Sequence, residues 1–167
     1  LDPNVEYAEP NYIVHMDASP PVNPPPNDTD YSNLWGLNNT GQSGGTDDAD
    51  IDAPEAWDIE TGSHNTIVIA VIDSGVAYNH PDLNANIWTN TGETSCVDGI
   101  DNDGNGYIDD CNGWDFFAGD NDPADYNGHG THVAGTIAAV GNNTTGITGV
   151  MWQAKIMPLR FLGVYGS

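Results

Sequence analysis

The sequence predicts an α/β fold: part of a doubly wound, mostly parallel sheet with flanking helices, preceded by a separate amino-terminal tail. Three stretches predict it. "TIVIAVIDSG" (66–75) is a continuous β-branched and apolar run, the pattern of a parallel strand buried on both faces. "KIMPLRFL" (155–162) is a second such run. Between them, "HGTHVAGTIAAV" (129–140) spaces Gly130, Ala134 and Ala138 four apart, with Gly135 and Ala139 beside them, as suits a helix lying close against a sheet. Strand, helix and strand in this order argue a right-handed βαβ unit within a larger sheet.

Taken in order, "LDPNVEYAEPNYIVHM" (1–16) holds Tyr12, Ile13 and Val14 as a short extended run after the turn-like "EPN". Five prolines between Pro20 and Pro26 favour polyproline II and withhold backbone donors. The chain therefore divides into a tail (1–17), a Pro-rich linker (18–29) and a folded part (30–167). "APEAWDIETG" (53–62) reads as a short helix with proline in its first turn and Gly62 past its end. The strand at 66–75 finishes on Asp73, Ser74 and Gly75, at the carboxyl edge where open α/β sheets carry their functional groups. Residues 91–112 are polar, glycine-rich and bounded by cysteines, an inserted surface loop. "GWDFFAGDNDPADYNG" (113–128) leads into the helix, "GNNTTG" (141–146) turns the chain, and the second strand closes it.

Charge narrows the function. Twenty-five acidic side chains face two basic ones, Lys155 and Arg160, for a formal net charge of −23. Nothing here could neutralise phosphates, so nucleic acid is excluded as a partner. Such self-repulsion opposes compaction unless cations relieve it, and bound calcium is the expected one. No apolar run approaches the roughly 18 residues that span a bilayer. The chain begins at Leu1 and stops on "FLGVYGS", which reads as a piece of something longer. Cys96 and Cys111 lack CxxC spacing and read as a disulfide formed in an oxidising compartment, in preference to two free thiols. Closing a loop of about 15 residues would stabilise by about 3 kcal/mol.

"DYNGHGTHVAGTIAA" (125–139) carries two histidines three apart. A zinc reading of His129 and His132 lacks both the helical HExxH glutamate and a nearby third ligand. His132 reads better as a packed or hydrogen-bonded histidine within the helix. Asp73 gives His129 a different meaning. A carboxylate at a strand's carboxyl end can accept the Nδ1 hydrogen of an imidazole at a neighbouring helix start, fixing the tautomer that leaves Nε2 free as a base.

Those residues resemble the subtilisin-like serine proteases. "AVIDSGVAYNHPDL" (70–83) is similar to the family's aspartate motif and "NGHGTHVAGTIAA" (127–139) to its histidine motif, in the family's order. "LWGLNNTGQ", "DAPEAWD" and "KIMPLRFLG" resemble the start of the mature domain and the strand leading to the substrate-binding edge. "DPNVEYAEPNYIV" resembles the end of the inhibitory propeptide, an intramolecular inhibitor. The resemblance implies the first half of a catalytic domain, with Asp73 and His129 as two catalytic residues, in a secreted, extracellular, monomeric enzyme acting on protein or peptide substrates. None of Ser19, Ser32, Ser43, Ser63, Ser74, Ser95 or Ser167 has the GTSMA-like context of the family's nucleophile, which is expected beyond Ser167. The chain by itself is then inactive.

Asp73 and His129 stand 56 positions apart, more than in compact members of the family, and the excess maps onto the cysteine-bounded insertion. There "DNDGNGYIDD" sets Asp101, Asp103, Asn105, Gly106, the Tyr107 carbonyl and Asp109 in the order of the first nine positions of a calcium loop. The twelfth position is Asn112 instead of glutamate, so Asp110 is the expected substitute. The plain alternative is a solvated acidic loop. Resemblance also implies calcium at Asp82 in "HPDL", and at a site formed by Asp115, Asp120 and Asp122. The whole reads as the amino-terminal part of a calcium-stabilised subtilase precursor. The alternative is a calcium-binding pseudoprotease module whose parent lacks the serine.

Overall fold

A computed structural model describes residues 25–62 and 67–166, so the expected propeptide tail and the linker up to residue 24 lie outside the described residues. The elements run from a single 3-10 turn at Tyr31–Asn33 to α1 (Ala53–Trp57), β1 (Val68–Asp73), β2 (Trp114–Asp115), α2 (His129–Ala138) and β3 (Lys155–Arg160), with a second 3-10 turn at Asn84–Asn86. The three strands form one parallel sheet in the order β1-β3-β2. Both long strands and the helix thus stand where the hydrophobic runs place them, and β1 and β3 are direct neighbours.

α2 covers one face of this sheet through its small residues. Ala134 and Ala138 are fully buried against Val71, Val76, Leu83 and Ile156. Larger residues at 134 or 138 would hold the helix away from β1 and β3, and each buried Val or Ile here contributes about 1.5–3 kcal/mol relative to exposure. A second cluster of Leu37, Ala53 and Trp57, with Trp152 edge-on to Trp57, packs α1 beside the first. The Trp57 indole N–H donates to the Val150 carbonyl at 2.9 Å, tying α1 to the approach of β3.

Two expectations need correction. β1 is not buried on both faces: Val71 is buried, but Val68 and Ile72 are 44% and 64% exposed, because no element among the described residues packs on the face opposite α2. The short helix expected within 53–62, with Gly62 past its end, stops already at Trp57 and gives way to turns. β2 has no counterpart in the sequence reading. It is two residues long, and it reaches β3 because Gly113, at φ +115°, passes where any Cβ would collide with the Pro158 carbonyl. The insertion at 91–112 contains no helix or strand, as expected, and Cys96 and Cys111 form a disulfide with Cα atoms 5.6 Å apart.

Candidate active site

The sheet register aligns three charged residues along one carboxyl edge, with Asp73 of β1 beside Arg160 of β3 and Arg160 beside Asp115 of β2. From this edge Asp73 meets the first residue of α2. Its Oδ1 and Oδ2 lie 2.7 and 2.8 Å from His129 Nδ1. Burial pushes the Asp73 carboxyl up, but the Ser74 N–H, the His129 hydrogen bond and the His129 charge outweigh it and leave the group below its ordinary value. An ionised carboxylate only accepts, so Nδ1 carries the hydrogen and donates it. In the neutral ring that leaves the Nε2 lone pair free, on a side chain that is 67% exposed while Asp73 is only 13% exposed. The pair can take a proton from a group presented at the open side of the ring.

This approach depends on two glycines. A Cβ on Gly130 would collide with the Gly75 carbonyl and come within 3.0 Å of the Asp73 Cβ. Gly75, at φ +104°, lies so close to the Pro123 and Ala124 carbonyls that a Cβ there would fall 2.6 and 2.5 Å from them.

One residue that organises the site was missed by the sequence reading. The Asp125 carboxylate accepts hydrogen bonds from Ser74 Oγ (3.0 Å), the Asn127 N–H (2.8 Å), the Gly128 N–H (2.8 Å), the Thr131 N–H (2.9 Å) and Thr131 Oγ1 (2.6 Å). Ser74 Oγ in turn accepts the Gly130 N–H at 3.0 Å, and Asn127 Oδ1 accepts the His129 N–H at 3.3 Å. The unpaired donors of the first turn of α2 are thus met by side chains from three positions, one of which is the residue after Asp73. Desolvation raises the Asp125 carboxyl, but the bonds from Thr131, Gly128 and Asn127 hold it below the ordinary carboxylate value. The available signal was an acidic residue shortly before a helix start, in "DYNGHGT".

The insertion gathers its acidic residues unevenly. Asp101 accepts the Gly104 and Asn105 N–H groups on Oδ1 and the Gly106 N–H on Oδ2, so the loop wraps around it. Asp103 Oδ2 and Asp110 Oδ1 are both held by the Asn90 amide, at 3.0 and 2.7 Å, and the Asn105 amide reaches Asp103 and Asp110. The Tyr107 N–H donates to Asn105 Oδ1. Asp109 turns its carboxylate to the Asp98 and Gly99 N–H groups. Glu93, outside the sequence-predicted set, joins Asp101 and Asp103 in a group whose oxygen atoms lie within 4.8 Å of one another.

The other predicted metal ligands lie elsewhere. Asp82 is buried, 3% exposed, and accepts Asn143 Nδ2 at 2.8 Å and the Ile147 N–H at 2.9 Å. Asp115 is buried with Arg160, Oδ2 to Nη1 2.7 Å, while its Oδ1 accepts the Phe117 and Ala118 N–H groups. The same guanidinium lies over the Phe117 and Tyr126 rings. Asp120 caps the Asp122 N–H. Asp122 accepts the Tyr78 hydroxyl, whose pKa is pushed up to about 12 by burial and by that carboxylate. His132, expected as a packed or hydrogen-bonded histidine, is exposed and so is not packed. Its neighbours Val133 and Ala134 take the sheet-facing side of α2, which leaves position 132 beside a cavity lined by Leu34, Trp35, Ile147 and Val150.

The sequence profile of the subtilase family matches residues 64–167. The chain is 38% identical over 175 aligned residues to the "Extracellular protease" of Xanthomonas campestris pv. campestris, covering 99% of this chain and 27% of that protein. It is 38% identical over 167 residues to the "Thermophilic serine proteinase" of Bacillus sp. strain AK1, covering 99% and 31%. Among solved structures, the serine protease of Aeromonas sobria in complex with its chaperone superposes with a TM-score of 0.62 at 26% identity, over 81% of this chain and 20% of that one. The chain therefore spans less than a third of the length of these relatives.

Proposed function

The chain belongs to the subtilase family, and from that premise we propose that the protein of which it is part is a secreted, calcium-stabilised serine endopeptidase with Asp73 and His129 as two members of its triad. The observation that supports this reading is the hydrogen bond from His129 Nδ1 to Asp73, which leaves Nε2 as the free base. In the reaction His129 takes the proton of a serine hydroxyl supplied beyond Ser167 as that oxygen attacks the scissile carbonyl. It then returns the proton to the leaving amine, and a water repeats the cycle on the acyl-enzyme. Asp73 stays ionised throughout, holding the ring in place and stabilising the imidazolium.

Residues 1–17 are read as the end of a propeptide that occupies the substrate cleft before maturation, and 18–29 as the linker joining it to the catalytic domain. Calcium is assigned to the 101–110 loop and to Asp82. The third calcium site that the resemblance implies, at Asp115, Asp120 and Asp122, would have to share Asp115 with its Arg160 ion pair. Among the described residues no helix is long and apolar enough to cross a membrane.

The test is to express the full reading frame and assay casein cleavage with and without a fluorophosphonate and a calcium chelator, beside a His129→Ala variant. Cleavage that the fluorophosphonate and the His129→Ala substitution both abolish supports the triad. A folded product that leaves casein intact and takes no fluorophosphonate label assigns the chain to a calcium-binding pseudoprotease.

A further inference from the structure

The twelfth position of the 101–112 loop, where calcium loops carry an acidic ligand of two oxygens, is Asn112. The structure offers a replacement from outside the loop and outside the Cys96–Cys111 ring. Glu93 is 8% exposed, and its Oε1 accepts the Asn102 N–H at 3.2 Å. Its Oε2 is buried with no hydrogen-bond partner. A buried carboxylate oxygen left unpaired is costly in any protein, and doubly so in one that carries this excess of negative charge. Glu93 also shares with Asp101 and Asp103 the group of oxygens lying within 4.8 Å of one another. Oxygens bound to one calcium at 2.3–2.6 Å are separated by about 5 Å at most, so a single ion can touch all three. The backbone is brought close enough for this by Gly92, where a Cβ would sit 2.5 Å from Asp103 Oδ2.

We propose that Glu93 is a calcium ligand, completing with Asp101 and Asp103 a site that bridges the base of the insertion to its acidic loop. The proposal rests on the calcium reading of that loop and adds to it a ligand from a separate segment. Binding pairs the buried Oε2 and fastens residues 90–93 to residues 101–103, a clamp separate from the disulfide. Removing the charge at 93 therefore acts oppositely in the two states: it relieves the ion-free protein and weakens the ion-bound one.

The full-length protein, its Glu93→Gln variant and an Asp101→Asn variant are titrated with terbium, reading luminescence sensitised by Tyr107 and Trp114, whose rings lie 4.9 Å apart beside the loop. Calcium is then used to compete the signal, and melting is followed with and without calcium. The expected result is calcium-competed terbium binding in the wild type, weakened by about tenfold or more in Glu93→Gln. Without calcium the Glu93→Gln protein melts at or above the wild type, and with calcium the order reverses. Wild-type binding that Asp101→Asn abolishes and Glu93→Gln leaves unchanged overturns the role of Glu93 while leaving the calcium loop standing. A wild type that binds neither ion at the loop overturns both. Should Glu93→Gln fail to fold, Glu93→Asp, which keeps the charge and withdraws the oxygens by one methylene, replaces it and must also weaken binding.

Discussion

Truncating Asp125 isolates the device that joins β1 to α2. Asp125→Ala removes the acceptor of five hydrogen bonds. Their costs differ with access to water. Asn127 and Gly128 are exposed, so their N–H groups find solvent and lose a few tenths of a kcal/mol. Ser74 is 2% exposed and Thr131 is half-buried, so the Ser74 hydroxyl, the Thr131 hydroxyl and the Thr131 N–H lose about 1 kcal/mol each, for a total of about 3 kcal/mol. The assay is urea unfolding of the full-length protein with saturating calcium, wild type against variant, from pH 7 downwards. Because the folded pKa of Asp125 is lowered, its contribution is complete above the unfolded value of about 3.9 and fades as pH falls through the folded one. The gap between the proteins is therefore constant from pH 7 to about 5 and narrows below about 4. Asp125→Asn, keeping one acceptor oxygen, falls between them. A difference under about 0.5 kcal/mol at pH 7, or a gap that widens in acid, would refute the capping argument.

Three further expectations concern the same framework. Gly130→Ala forces α2 away from the Gly75 carbonyl and so moves His129 off Asp73; kcat of the full-length enzyme is expected to fall about 100-fold, measured on a peptide substrate, with calcium binding at the 101–103 loop unchanged. Arg160→Met leaves Asp115 charged and buried without its partner and is expected to cost about 3–5 kcal/mol in urea unfolding, whereas the paired Arg160→Met, Asp115→Leu substitution recovers much of it. Replacing Cys96 and Cys111 together by serine is expected to lose about 3 kcal/mol, and limited proteolysis in a chelator should then cut first within 91–112.

The Asp73–His129 pair was legible in the sequence because each half sits inside a long local pattern: an aspartate closing a β-branched run, and a histidine opening a run of small residues at helical spacing. Periodicity located β1, α2 and β3 for the same reason, since each is longer than a turn and amphipathic or apolar throughout. β2 was not legible, because two residues carry no period and its pairing depends on Gly113 clearing the Pro158 carbonyl. The exposure of β1 on one face was also invisible, since an apolar run announces what it can bury and not what covers it.

By itself the sequence determined the family and the order of the main elements, and it singled out Asp73, His129 and the acidic 101–109 loop as the segments on which the proposed function rests. Only the tertiary structure decided which distant groups meet. It brought Asp125 to Ser74 across 51 positions, set Arg160 against Asp115 across 45, and gathered Glu93, which keeps one buried oxygen unpaired, with Asp101 and Asp103. Local patterns encode what a segment does with its own hydrogen bonds and apolar faces. A polar group that must be satisfied by a residue far along the chain shows its purpose only once the chain has closed around it.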